Sequence, residues 1–116
     1  MNLPSIIDIP TFERLKEATG ADFIGELIDT YCENTIQLII ELKQTLTNQD
    51  AEAFRRHAHS IKSTSNSLGA LEFGASAKVL EMNGIEGKFD DISTGVEHLE
   101  SEFDQVQKVL QELRDA

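Results

Sequence analysis

Tryptophan is absent from this chain of 116 residues, cysteine occurs once, and both prolines lie within the first ten residues. A single cysteine cannot form a disulfide framework, so a reducing compartment is expected, with Cys32 as a buried thiol in an apolar helical stretch. The sequence contains no apolar run of about 18 residues and does not begin with a cationic segment followed by an apolar one. We therefore expect a soluble, cytoplasmic protein, or a piece of a longer one whose membrane anchor lies elsewhere.

Basic residues are scarce, since ten Lys and Arg face 21 Asp and Glu, which gives a net charge of −11. This acidity disfavours nucleic acid and anionic membranes as partners, and we interpret most of it as surface charge for solubility. The bases are unevenly spread, because Arg55, Arg56 and Lys62 lie close together. The chain also lacks a phosphate-binding Gly-x-x-x-x-Gly-Lys-[Ser/Thr] loop, so no kinase activity with ATP is expected.

Apolar residues recur at helical spacing along the chain, and the alternation typical of strands is absent. The length suits a single domain, 1–116. Helices are predicted over about 11–19, 22–47, 50–68, 70–83 and 91–113, with a loop over 83–88. The pattern predicts an all-α fold, an antiparallel up-down four-helix bundle whose short first helix caps one end.

One histidine of the third predicted helix points away from the buried face. At about 100° per residue, five residues fall within roughly 40° of one line, namely Phe54, Ala58, Ile61, Ser65 and Leu68. His59 points about 140° from that line, so packing gives no reason for an imidazole there. Its predicted surroundings are cationic or polar: Arg55, Lys62, Ser63 and Asn66. Because imidazole titrates near neutral pH and keeps a free lone pair, this arrangement suits a nucleophile for a phosphoryl group.

The other two histidines have simpler interpretations. His57 falls about 60° from the core line, where a boundary packing residue is expected, and His98 lies on a wet face beside Glu97 and Glu100. A metal shared by His57 and His59 is disfavoured, because positions i and i+2 diverge by about 200° on a helix.

The run from His59 to Ala70 resembles the signature of histidine-containing phosphotransfer (HPt) domains. That signature has a histidine, an aliphatic residue two positions on, a lysine three on, small hydroxyl residues, and then Leu-Gly-Ala. The matching positions here are His59, Ile61, Lys62, Thr64, Ser65, Leu68, Gly69 and Ala70, and the resemblance continues through Leu80-Glu81 and the Gly84–Gly87 turn. One position departs, because the family usually has glycine four residues after the histidine and this chain has Ser63.

The resemblance implies a phosphorelay phosphocarrier rather than a self-sufficient enzyme. His59 would accept a phosphoryl group from a receiver-domain aspartyl phosphate, forming a phosphohistidine, and pass it to another receiver. Lys62 would stabilise the charge of the phosphoryl group, and Ser63, Asn66 and Arg55 would support it. The chain would bind no cofactor, since Mg²⁺ belongs in the receiver. The expected partners are response-regulator receiver domains and a sensor or hybrid histidine kinase, and the chain is expected to be a monomer.

Two isoleucines of the second helix, Ile36 and Ile40, point roughly 120° and 160° away from its core line. They predict an apolar docking patch for a receiver, unless the N-terminal helix covers them. Two other functions stay open. A helical adaptor could bind receivers or kinases without transfer, which Ser63 in place of glycine keeps possible, and the apolar stripe of the last helix would suit a structural dimerisation bundle.

Overall fold

The fold is built from α-helices. The computed structural model describes residues 6–86 and 92–115, and across these ranges it has no strand and the helices α1 (Ile9–Thr19), α2 (Ile24–Thr47), α3 (Ala51–Leu68), α4 (Leu71–Glu86) and α5 (Ile92–Asp115). The predicted all-α class is confirmed.

The four long helices pack in a closed order. Helix α2 contacts α3 and α5, and α4 also contacts α3 and α5, while α1 lies against α3. Helices that follow one another through short connections and pack side by side form an up-down bundle. The predicted four-helix bundle with a short N-terminal helix is confirmed. No helix in the described ranges is both long and apolar enough to cross a membrane.

The junction between α3 and α4 depends on Gly69. Its φ is +96°, in the left-handed region that favours glycine, and a Cβ there would lie 2.8 Å from the carbonyl oxygen of Asp8. The Asp8 N–H also donates to the Gly69 carbonyl at 2.7 Å. The segment before α1 is therefore held against this junction, with Ile7 2% exposed and Phe12, on α1, 1% exposed.

The predicted buried face of α3 is correct at all five positions. On α5 the predicted stripe is buried from Ile92 to Leu110. On α2, helical spacing with Tyr31 and Leu42 predicts Leu38 as a core residue, but Ile39 is buried there and Leu38 is only partly buried. Because α2 packs against both α3 and α5, its buried face points between these two helices. Leu38 then lies at the edge of that face.

The predicted end of α4 is wrong. The sequence predicted a loop from residue 83, whereas α4 continues to Glu86; residues 87 and 88 of that loop lie outside the described ranges. Gly84 was interpreted as part of a turn, but it lies within the helix where α4 packs on α3. A Cβ at Gly84 would lie 2.9 Å from Cδ1 of the buried Phe54, so the glycine permits close packing.

Candidate functional site

His59 lies on the outer surface of α3, on the flank that faces α4, with 58% of its side chain exposed. Both features follow from the register of α3, whose buried residues on either side of His59, Ala58 and Ile61, are fully enclosed. Asp50 fixes the start of this helix by accepting a hydrogen bond from the Ala53 N–H at 3.2 Å. The predicted exposure of the imidazole is confirmed.

A carboxylate from the neighbouring helix holds the ring. Nδ1 of His59 lies 2.9 Å from Oε2 of Glu81, and Nζ of Lys62 donates to Oε1 of Glu81, also at 2.9 Å. Only 14% of the Glu81 side chain is exposed. One carboxylate therefore links the histidine and the lysine that lie one turn apart on α3.

The charge state of Glu81 determines which nitrogen of the His59 ring carries the hydrogen. Partial burial raises the pKa of the Glu81 carboxyl, but hydrogen bonds and charges from Lys62 and His59 outweigh burial and lower the pKa below its ordinary value. An ionised carboxylate can only accept hydrogen bonds, so Nδ1 of His59 is the protonated nitrogen. In the neutral ring the lone pair is then on Nε2.

Glycines bring α4 close enough to α3 for these contacts. Besides Gly84, Gly74 packs directly on α3, where an added Cβ would overlap the side-chain oxygen of Asn66 and lie 3.4 Å from the Lys62 carbonyl. Gly74 and Gly84 flank Glu81 along the helix. Close packing on both sides of Glu81 therefore supports its reach to His59.

Lys62 does not extend freely into solvent. Its side chain is 23% exposed and is paired with Glu81, which lies between it and the ring. A phosphoryl group on Nε2 would therefore meet a lysine already engaged by a carboxylate. Lys62 remains within reach of the site, since it lies one turn from His59.

The three supporting residues of the sequence analysis are all exposed, but they are not equally close to the ring. Arg55 and Ser63 each lie one turn from His59, on either side of it along α3. Asn66 lies about 10 Å from His59 along the helix axis, and its side chain packs beside Gly74. The structure thus brings Arg55 and Ser63 to the site and leaves Asn66 outside contact distance of the ring.

The two isoleucines of the docking prediction are exposed, Ile36 by 43% and Ile40 by 45%. Helix α1 packs on α3, so the alternative that it covers them is wrong. Both side chains project from the flank of α2 that faces α5, the side on which Lys43 pairs with Glu100. His59 projects from the other side of the bundle, between α3 and α4. Docking at Ile36 and Ile40 stays a prediction.

His57 and His98 have the surroundings expected of residues outside the site. His57 is partly buried at the edge of α3, 3.8 Å from Glu41, and His98 is exposed, 3.4 Å from Glu102 one turn on. A groove of about 520 Å³ between α2 and α3 is bordered by Ser60, but it opens on the flank opposite α4. Neither histidine nor the groove contributes to the contacts of His59.

The contact of Glu81 with His59 was not predicted from the sequence. Leu80-Glu81 was quoted as part of the resemblance, which was the available signal. Helical spacing also places an acid at this position on the flank of α4 beside α3. Its pairing with His59 depends on the relative register of two helices, which periodicity within each helix does not give.

Comparisons with known proteins agree with this geometry. The family model for the Hpt domain matches residues 26–116. A crystal structure of histidine-containing phosphotransfer protein B (HptB) from Pseudomonas aeruginosa PAO1 is similar, with a TM-score of 0.91, 26% sequence identity and 97% of each chain covered. The comparison with curated proteins found no match. The chain therefore belongs to the Hpt domain family and is a phosphocarrier of phosphorelays.

Proposed function

We propose that Nε2 of His59 is the atom that carries the phosphoryl group. The group would come from the aspartyl phosphate of one receiver domain and leave to the aspartate of another. The observation that supports this most directly is the bond from Nδ1 of His59 to Glu81. It leaves Nε2 as the unprotonated nitrogen of an exposed ring.

The transfer follows from that arrangement. The lone pair of Nε2 attacks phosphorus, an N–P bond forms, and the P–O bond to the receiver aspartate breaks, which returns that side chain as a carboxylate. The proton on Nδ1 stays there throughout, hydrogen-bonded to Glu81. A phosphorylated ring with Nδ1 protonated is a cation, and the Glu81 carboxylate stabilises that charge. The reverse sequence delivers the group to the second receiver.

The cations of α3 would stabilise the phosphoryl charge. Phosphoryl transfer depends mainly on positioning and charge stabilisation, so an exposed base one turn away is useful without forming a bond. Arg55 is such a base, and Lys62 can share its contact with Glu81. We place the Mg²⁺ of the reaction in the receiver, as the family resemblance implies, and no cofactor on this chain.

The partners in this proposal are response-regulator receiver domains, with a sensor or hybrid histidine kinase at the start of the relay. We place the chain in the cytoplasm, as a monomer. The adaptor alternative gains no support from Ser63, whose exposed side chain makes no hydrogen bond among the described residues.

A panel of phosphorylated receiver domains tests the proposal. Each is incubated with the chain and Mg²⁺, and the chain is scored for acid-labile, base-stable phosphate. We expect at least one receiver to label it, and ³¹P and ¹⁵N NMR to place the phosphorus on Nε2. Labelling at Nδ1, or no labelling by any receiver, would contradict the proposal.

A further inference from the structure

Helix α4 is apolar on both of its faces. Phe73, Ala77 and Leu80 pack inward and are buried. The opposite face carries a second apolar row, here called the α4 stripe, formed by Leu71, Ala75, Val79 and Met82. Leu71 is 44% exposed, Val79 58% and Met82 50%. A helix on a bundle surface normally turns polar residues outward, so a second apolar face indicates an interaction surface.

The members of the α4 stripe follow one another at spacings of four, four and three residues. At about 100° per residue they fall within roughly 40° of one line, which points away from the bundle core. They therefore form a continuous row along the helix rather than scattered exposed residues. The row stays exposed, while the buried residues by which α4 packs inward, Phe73, Ala77 and Leu80, lie on the opposite face.

The α4 stripe is separated from the phosphoryl-acceptor site by Lys78. Glu81, which contacts His59 at 2.9 Å, points about 100° around α4 from Met82, and Lys78 projects between these two directions. Gly74 lies against Asn66, Glu81 against His59 and Gly84 against Phe54, so the two helices run antiparallel. This pairing places Lys78 across from Lys62. Any protein that covers His59 and extends across α4 reaches Lys78 and then the stripe.

Exposed bases also lie on this side of the molecule. Lys78, Arg55 and Arg56 are exposed and have no carboxylate partner among the described residues, although the chain carries a net charge of −11. On the opposite side Lys43 pairs with Glu100 and Arg114 with Asp29, while Lys108 is exposed without such a partner. Unpaired cations next to an apolar row suit an acidic partner with an apolar surface.

We propose that the α4 stripe, together with Lys78, is a docking surface for the receiver domain that exchanges its phosphoryl group with His59. This rests on the proposed function. A receiver presents an aspartyl phosphate and carboxylates that hold Mg²⁺, which complement Lys78 and the arginines. A second copy that docks through the same surface would instead place its own unpaired bases against Lys78 and the arginines, since both partners of such a contact use the same patch. Four side chains bury far less than the about 800 Å² per partner of a stable interface, but a shuttle needs a transient one.

The test measures phosphoryl uptake against the concentration of a receiver that labels the wild-type chain. Val79→Glu and Met82→Glu should raise the half-saturating receiver concentration about tenfold and leave the rate at saturation unchanged. Met82→Leu should behave as wild type. Ser101→Glu, which adds the same charge to the exposed face of α5, is the matched control and should have no effect. Thermal unfolding confirms that each variant folds.

Several outcomes overturn the proposal. Unchanged uptake by both α4 variants shows that the receiver does not contact the stripe. A loss confined to Ile36→Glu shows that docking occurs on α2 instead. A wild-type dimer in sedimentation that Met82→Glu converts to a monomer, with uptake unchanged, assigns the stripe to a second copy. In each of these cases wild-type uptake persists and the proposed function stands. If the wild-type chain takes up phosphate from no receiver, both the docking proposal and the proposed function are refuted.

Discussion

His59 and Glu81 come from different helices, 22 residues apart in the chain, and the 2.9 Å contact between them determines which ring nitrogen stays unprotonated. The same carboxylate accepts from Lys62, so it is held from two sides. The ring of an exposed histidine normally samples several orientations, and this contact restricts it. The orientation of the His59 ring therefore depends on α4 as well as on α3.

His59→Gln should abolish phosphoryl uptake while the thermal midpoint stays near that of wild type. Glutamine has no nucleophilic nitrogen but can still donate to Glu81, so the contact between the helices persists. The measurement is labelling by a phosphorylated receiver, with circular dichroism for the fold. His57→Gln is the matched control and should label normally. Labelling that survives in His59→Gln and disappears in His57→Gln would refute the assignment.

Glu81→Gln should slow uptake on the order of tenfold, the effect typical of losing the hydrogen-bond partner that orients a metal-bound histidine. The amide can donate as well as accept, so Nδ1 is no longer obliged to carry the hydrogen. ¹⁵N NMR of the imidazole should show the Nε2-protonated tautomer appearing. Glu72→Gln, at an exposed position of the same helix, controls for the loss of charge. An unchanged rate and an unchanged tautomer would contradict the role given to Glu81.

Ser63→Gly should transfer at least as fast as wild type and be slightly less stable. Glycine opens the approach to the ring but costs a helix about 0.5–1 kcal/mol relative to alanine. Ser63→Gln should block transfer by bulk, with the fold intact. Transfer rates and urea unfolding of both variants check this. If wild type takes no phosphate and Ser63→Gly does, serine is an obstruction and the adaptor alternative gains support.

The free energy of unfolding should fall as the pH drops below about 4.5, the ordinary pKa of the Glu81 carboxyl. Its pKa is lowered in the folded chain, so below 4.5 the unfolded chain takes up the proton first and folding loses this contribution. Lys62→Met removes one of the groups that lower this pKa. The free energy of unfolding of the variant should therefore decrease less between about pH 6 and pH 3. Urea unfolding over this range measures both proteins. Parallel pH profiles would show that Lys62 does not stabilise the Glu81 carboxylate.

Gly84→Ala should destabilise the protein by about 1–3 kcal/mol, because the new methyl group overlaps the buried ring of Phe54. Gly74→Ala should cost much less, since the atom it meets is the end of the exposed Asn66 side chain, which can rotate away. Urea unfolding compares the two variants in one helix. Equal stability of the two would show that Gly84 is not required for packing.

The sequence predicted those parts of the fold that depend on one helix at a time. Periodicity was sufficient for the buried faces of α3 and α5, because each faces the core along its length. It was wrong at the end of α4, where Gly84 resembles a helix terminator but serves close packing. A local pattern cannot distinguish these roles, since the difference lies in Phe54, thirty residues earlier.

The candidate site likewise combines features that follow from one helix with features that depend on the packing of two helices. The exposure of His59 and the proximity of Arg55 and Ser63 follow from one helix and were predicted. The engagement of Lys62 by Glu81, and the position of Asn66 beside Gly74, depend on how two helices fit together. The direction of Ile36 and Ile40, away from the core of the bundle, was also predicted. Their exposure rather than cover by α1, and their separation from His59, required the packing of the helices.

The attachment of residues 7 and 8 to the junction at Gly69 has a consequence for truncation. The match to the family model begins at residue 26, so a fragment cut there would lose Ile7 and Phe12, both almost wholly buried. Burial of such side chains contributes about 1.5–3 kcal/mol each, a large part of the 5–15 kcal/mol that separates folded from unfolded domains. A fragment that begins at residue 26 should therefore unfold at a markedly lower temperature than the whole chain.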